Sequence, residues 1–191
     1  MKFTEGQLYH IYNKGNNNQQ IFFKKENYLY FLKKIRKYIY PNCDILTYCL
    51  MPNHFNFLIY ANSKTVSYDL KNNNFLSEGF KILLSSYAKA INVQEKRTGS
   101  LFTQNTHSKN VSGNTNQAII CLKYIHQNPK INGLVVNLED WEFSSFRDYC
   151  GLRNGTICNQ NLTFNLLNID KENFYGFSNE MILKADLNTI F

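Results

Sequence analysis

Leu50-Met51-Pro52-Asn53-His54-Phe55-Asn56-Phe57-Leu58-Ile59-Tyr60 decides how this chain folds. Cys43 to Met51, rich in Ile, Leu, Thr and Tyr, predicts a strand. Pro52-Asn53 is a turn signal, because proline presets φ and asparagine tolerates unusual backbone angles. Residues 54–60 predict a second strand, so the stretch is a hairpin. Side chains alternate across a strand. Phe55, Phe57 and Ile59 therefore form one apolar face, fit for a core, and His54, Asn56, Leu58 and Tyr60 form the other. An imidazole and an amide point the same way beside a turn, which is half of a metal site.

Upstream, Leu8 to Gly15 predicts a first strand running into an Asn-rich turn at 16–18, with His10 on a sheet face as a structural histidine. Lys25 to Tyr40 is helical, with Tyr28, Phe31, Leu32, Ile35 and Ile39 on one stripe. Downstream, residues 61–76 lack an apolar period and read as a flexible loop. Phe80, Leu83, Leu84, Tyr87, Ala88 and Ile91 then repeat at helical spacing, with Ser77 as N-cap and a stop near Gly99. Ser100 to Val111 predicts an irregular strand bearing Gln104, Asn105, His107 and Lys109. This βαββαβ order predicts an α+β, ferredoxin-like (RRM-like) antiparallel sheet with two helices on one face and the other face open.

A third helix follows from Asn114 to Asn128, with Pro129 as its stop. At about 100° per residue, Gln117, Cys121, Tyr124 and Asn128 line one edge of its apolar stripe. That places Tyr124 between core and solvent.

The 191 residues are enough for one domain with an extension or two small ones, and 43% hydrophobic content marks a globular chain. No run approaches the roughly 18 apolar residues of a membrane span, and the start lacks an apolar signal region. Five cysteines without a CxxC pair predict reduced, mostly buried thiols in a cytosolic protein. Charge is uneven: residues 1–130 hold 17 Lys/Arg against 6 Asp/Glu, and residues 131–191 hold 4 against 8. A basic body suggests a polyanionic partner, most simply nucleic acid, which the acidic end would avoid.

Five blocks in order resemble the single-tyrosine HUH transposases, particularly the branch associated with repetitive extragenic palindromes (REP). They are His10-Ile11-Tyr12-Asn13-Lys14-Gly15 with Ile21-Phe22-Phe23, then Tyr48-Cys49-Leu50-Met51-Pro52-Asn53-His54, then Gly99-Ser100-Leu101-Phe102. Tyr124-Ile125-His126-Gln127-Asn128-Pro129 with Gly133-Leu134-Val135 follows, and Trp141 through Tyr149 is last. The likeness covers about 1–150, a transposase-like domain. Residues 151–191 are a C-terminal extension that matches nothing.

The resemblance implies a nucleophile at Tyr124 and metal ligands at His54, Asn56 and Asn128, with Mg²⁺ or Mn²⁺ weakly held. It implies cleavage and rejoining of single-stranded or hairpin DNA through a 5′-phosphotyrosine, and a bacterial, cytoplasmic, nucleoid-associated protein, with a homodimer as an expected state. Lys14, Lys33, Lys34, Lys37, Lys109 and Lys123 are the expected nucleic-acid contacts, although the lysine run at 33–37 also fits a solvated face.

The chain departs from the family at the metal pair, where Asn56 replaces the second histidine. One imidazole and two neutral amides form a site without an anionic protein ligand. Lys14 replaces the usual arginine, losing bidentate phosphate recognition but keeping charge. Asn105 also replaces a usually basic residue. Two alternatives stand beside transposase-type strand transfer. One is a catalytically impaired, domesticated single-stranded DNA-binding protein. The other is an RNA-binding module, which lacks its usual aromatic block here.

Overall fold

Strands β1 (Leu8–Lys14), β2 (Asp44–Met51), β3 (His54–Tyr60) and β4 (His107–Asn110) form one antiparallel sheet in the order β2-β3-β1-β4. The computed structural model describes residues 1–191, the side chain of Thr115 aside. This strand order is the ferredoxin-like arrangement expected of βαββαβ. Met51 pairs with His54, so Pro52-Asn53 closes a two-residue turn as the hairpin reading required.

Register assigns the two faces. Lys14 lies opposite His54, Tyr12 opposite Asn56, and His10 opposite Leu58. On the other edge of β1, His10 faces Lys109 and Tyr12 faces His107. One face of the sheet therefore collects His10, Tyr12, Lys14, His54, Asn56, His107 and Lys109.

The opposite face is apolar. Helices α1 (Lys25–Tyr38) and α2 (Phe75–Gln94) bury it, with Phe31 5.4 Å from Phe55 and Phe80 6.3 Å from Phe57 between ring centroids. Fully burying such a ring contributes roughly 1.5–3 kcal/mol relative to leaving it exposed. Helix α2 begins two residues before the expected cap, because Asn74 rather than Ser77 caps it and accepts from the Ser77 amide at 3.0 Å. The segment expected to be a flexible loop is instead tied down. Asn74 Nδ2 donates to the Thr65 carbonyl at 2.7 Å, and the Asp69 carboxylate accepts from the Asn73 amide.

β4 is shorter than expected. Residues 99–106 follow β1 without pairing along it, apart from a single bridge between Phe102 and Gly15. Gly15 has to be glycine, because a Cβ there would lie 2.0 Å from the Gln19 carbonyl oxygen.

Helix α3 (Thr115–Ile131) runs past Pro129, which was expected to stop it. Pro129 gives up its own amide bond to the Ile125 carbonyl, and the helix ends within the same turn, where Gly133 at φ +68° closes it with the Leu134 amide donating to the Pro129 carbonyl. The helix packs on the polar face of the sheet. Its His126 Nε2 lies 2.7 Å from Thr47 Oγ1 of β2 and 2.9 Å from Ser145 Oγ.

That face is therefore not open. Helices α4 (Phe146–Tyr149), α5 (Gln160–Leu167), α6 (Phe174–Asn179) and α7 (Lys184–Leu187) follow, and the segment after residue 150 adds Ile157, Phe164, Leu167, Phe174 and Ile190 to the same core. All five cysteines are free thiols, four of them buried. No helix among the described residues is long and apolar enough to cross a membrane.

Candidate active site

A cleft of about 420 Å³ opens on the polar face, and Tyr12, Lys14, Asn18, His54, Asn56, His107 and Tyr124 line it. Strands β1 and β3 deliver their residues by alternation, and α3, packed on the same face, delivers Tyr124. Residues 54 and 124 thus meet through tertiary packing.

His54 presents a neutral ring. Its Nδ1 donates to Asn53 Oδ1 at 2.7 Å, and Asn53 Nδ2 donates in turn to Asn18 Oδ1 at 2.9 Å. With the proton held on Nδ1, the lone pair on Nε2 is free. Burial pushes the imidazole pKa down to about 4; Asn128 opposes it, and His10 and Lys14 add smaller downward effects.

Asn56 is 1% exposed, and its amide lies beside His10, with Oδ1 2.9 Å from His10 Nε2. Its Nδ2 has no hydrogen-bond partner. The other ring nitrogen of His10, Nδ1, donates to the Ile190 carbonyl at 2.9 Å.

Tyr124 is half-buried. Burial raises its phenol pKa above the ordinary value, and Asn128 opposes that rise. Asn128 is fully buried one turn along α3, where it influences both His54 and Tyr124. Its Oδ1 accepts from Asn132 Nδ2 at 2.9 Å, and its Nδ2 is without a partner.

The structure sorts the lysines expected to meet nucleic acid. Lys14 lines the cleft, and Lys109 is exposed on the same face. Lys33, Lys34 and Lys37 lie on α1, which covers the opposite face, and Lys34 Nζ donates to Ser86 Oγ at 2.8 Å. Lys123 is drawn into the C-terminal segment: it is 9% exposed, paired with Glu180, and 4.2 Å from the Phe177 ring centroid. The acidic end, expected to avoid the nucleic acid, thus packs against α3.

Two residues at the site, His107 and Phe191, were not among the expected site residues. His107 stacks on Tyr12 with ring centroids 5.0 Å apart. Phe191 packs against Tyr12 and Tyr124 at 5.3 and 5.2 Å. His107 was reachable through strand pairing, whereas nothing in the composition of residues 151–191 signals that they reach the cleft.

Among the described residues no three His, Cys, Asp or Glu side chains cluster as a metal site. The donor set that the resemblance implies is of another kind: the free Nε2 of His54 and the amide oxygens of Asn56 and Asn128, which lie against His10 and Asn132 while the partnerless ends are the two Nδ2 groups. Imidazole and neutral oxygen donors fit a loosely held Mn²⁺ or Mg²⁺ that keeps several waters.

No family model matches the chain, and no curated protein matches it. A solved structure does. The chain is similar to a REP-associated tyrosine transposase bound to a REP hairpin, with a TM-score of 0.58 and 18% identity over 80% of this chain and 86% of that one. The α+β fold, a four-stranded antiparallel sheet with helices packed on it, is the fold of that transposase.

Proposed function

We propose that this protein binds single-stranded or hairpin DNA and cleaves and rejoins it, with Tyr124 as nucleophile. The observation that carries this reading is the meeting of Tyr124, His54 and Asn56 in one cleft, from a helix and a strand far apart in sequence. The likeness to a transposase bound to a hairpin supports DNA as the partner.

In this reading Lys14 and Lys109 hold the phosphate backbone along the polar face, and Asn128 positions the Tyr124 hydroxyl. Tyr124 Oη forms a bond to phosphorus, the bond from phosphorus to the 3′-oxygen breaks, and the phenol proton ends on the released 3′-OH. The phosphotyrosine ester conserves the bond energy, so a 3′-OH can reverse the step without a nucleotide cofactor. His54, Asn56 and Asn128 would hold a divalent cation, which neutralises charge on the scissile phosphate when bound. The neutral donor set makes that cation weakly held.

One observation favours a second reading. Asn56 stands where the family has histidine, so a protein that keeps DNA binding without cleavage is the rival. Incubation with hairpin oligonucleotides and Mn²⁺, followed by a denaturing gel, separates the two. A covalent protein–DNA adduct that Tyr124→Phe abolishes supports strand transfer. Binding without an adduct on any hairpin substrate supports the rival.

A further inference from the structure

We infer that His10 is a positioning residue that turns the Asn56 amide so that its carbonyl oxygen faces the cleft. Hydrogen-bond accounting carries the inference. The Ile190 carbonyl can only accept, so His10 Nδ1, 2.9 Å away, must carry a proton. The ring is fully buried, and among the described residues its polar partners are the Ile190 carbonyl and the Asn56 amide; a buried charge without a counter-ion is costly, so the ring holds that one proton and is neutral. His10 Nε2 is then a bare lone pair, 2.9 Å from the atom placed as Asn56 Oδ1. Two acceptors cannot bond.

Exchanging the two ends of the Asn56 amide resolves the conflict. The ends are nearly the same size, so the exchange disturbs no packing. Nδ2 then donates to His10 Nε2, which removes a buried donor without a partner. Oδ1 takes the buried place that Nδ2 vacates, the end of the amide turned away from His10, in a residue that lines the cleft. An under-satisfied carbonyl is tolerated better than an orphaned N–H. The relay runs from the Ile190 carbonyl through both nitrogens of His10 to Asn56. The C-terminal segment thereby sets which end of the Asn56 amide the site receives.

What Oδ1 does in the cleft rests on the reading above, in which it serves a divalent cation. Orientation and metal use are tested separately. Long-range ¹H–¹⁵N correlation of the His10 ring in the full-length protein should show Nδ1 protonated and Nε2 bare. An Nε2–H tautomer or an imidazolium would overturn the inference, whatever the metal does. In Mn²⁺ titrations with hairpin DNA present, His10→Leu should weaken binding about tenfold, the low end for groups that orient a metal ligand. His10→Gln, which keeps an acceptor, should recover most of it. In an Asn56→Ala background, His10→Leu should cost nothing further, and equal losses in both backgrounds would show that His10 does not act through Asn56. If the natural protein binds no Mn²⁺ under any condition, the metal reading fails, and the ring nitrogens still decide how Asn56 is turned.

Discussion

The side-chain oxygen of Asn53 accepts a hydrogen bond from Nδ1 of its neighbour His54 at 2.7 Å, so the turn of the hairpin sets the tautomer of the histidine that follows it. Asn53 is held in place by Asn18, on the turn after β1. Turn chemistry and site chemistry are therefore the same residues.

Asn53→Ala should keep the hairpin, because the turn needs no side chain to close it, but it frees His54 to take either tautomer. Mn²⁺ affinity should fall by about tenfold, within the range seen when an orienting partner of a metal ligand is removed. Unchanged affinity in a titration of the folded variant would mean that His54 is not a ligand or needs no orientation.

In the strand-transfer reading, the pH dependence of cleavage follows from the burial of Tyr124. Its phenol pKa lies above the ordinary value, so at neutral pH the phenolate fraction is small and rises about tenfold per pH unit below the pKa. Single-turnover cleavage should accelerate from pH 7 to 9 while hairpin affinity stays flat. A rate independent of pH over that range would place the limiting step elsewhere.

Asn56→His supplies the second histidine of the pair that the resemblance implies and should raise Mn²⁺ affinity, since an imidazole nitrogen is more basic than a neutral amide oxygen. The larger ring enters a site where Asn56 is 1% exposed beside His10. Overpacking of that kind costs roughly 1–3 kcal/mol, so denaturant unfolding should show a loss of stability. Higher stability with lower metal affinity would contradict both statements.

Lysines on the two faces should separate in salt titrations of single-stranded DNA binding. Removing Lys14 or Lys109 should lower the magnitude of the log–log salt slope by about 0.7 each, one phosphate contact apiece. Removing Lys33, Lys34 and Lys37 together should leave it nearly unchanged, because α1 covers the other face. The opposite ranking would place the DNA on the helical side.

Acid should destabilise the fold through His126. The ring is fully buried against Thr47 and Ser145, and burial pushes its pKa down to about 3. The unfolded chain binds a proton there near pH 6.5 and the folded chain does not, so stability is full above pH 6.5 and falls as pH drops toward 3. Urea unfolding at pH 7.5 and 5.0 should differ by on the order of a few kcal/mol. His126→Gln should remove about 2 kcal/mol of that difference and leave the share of His10 and His54, which burial also lowers.

The hairpin at Pro52-Asn53, the apolar face of Phe55, Phe57 and Ile59, and the stripe that put Tyr124 at the border of α3 were all determined locally. Turn preference and periodicity need no knowledge of distant partners, and together they implied the strand order. Only the tertiary structure decided what covers the polar face of the sheet. Alternation says which side chains share a face, but not that α3 and the segment after residue 150 both pack there. That packing buries Lys123 against Glu180 and Phe177, and it brings the Ile190 carbonyl to His10. His10 reads from sequence as an ordinary structural histidine, and its bearing on Asn56 comes from two hydrogen bonds to residues 46 and 180 positions away. Such bonds leave no periodic trace in the chain, because each depends on register and docking rather than on neighbours in sequence.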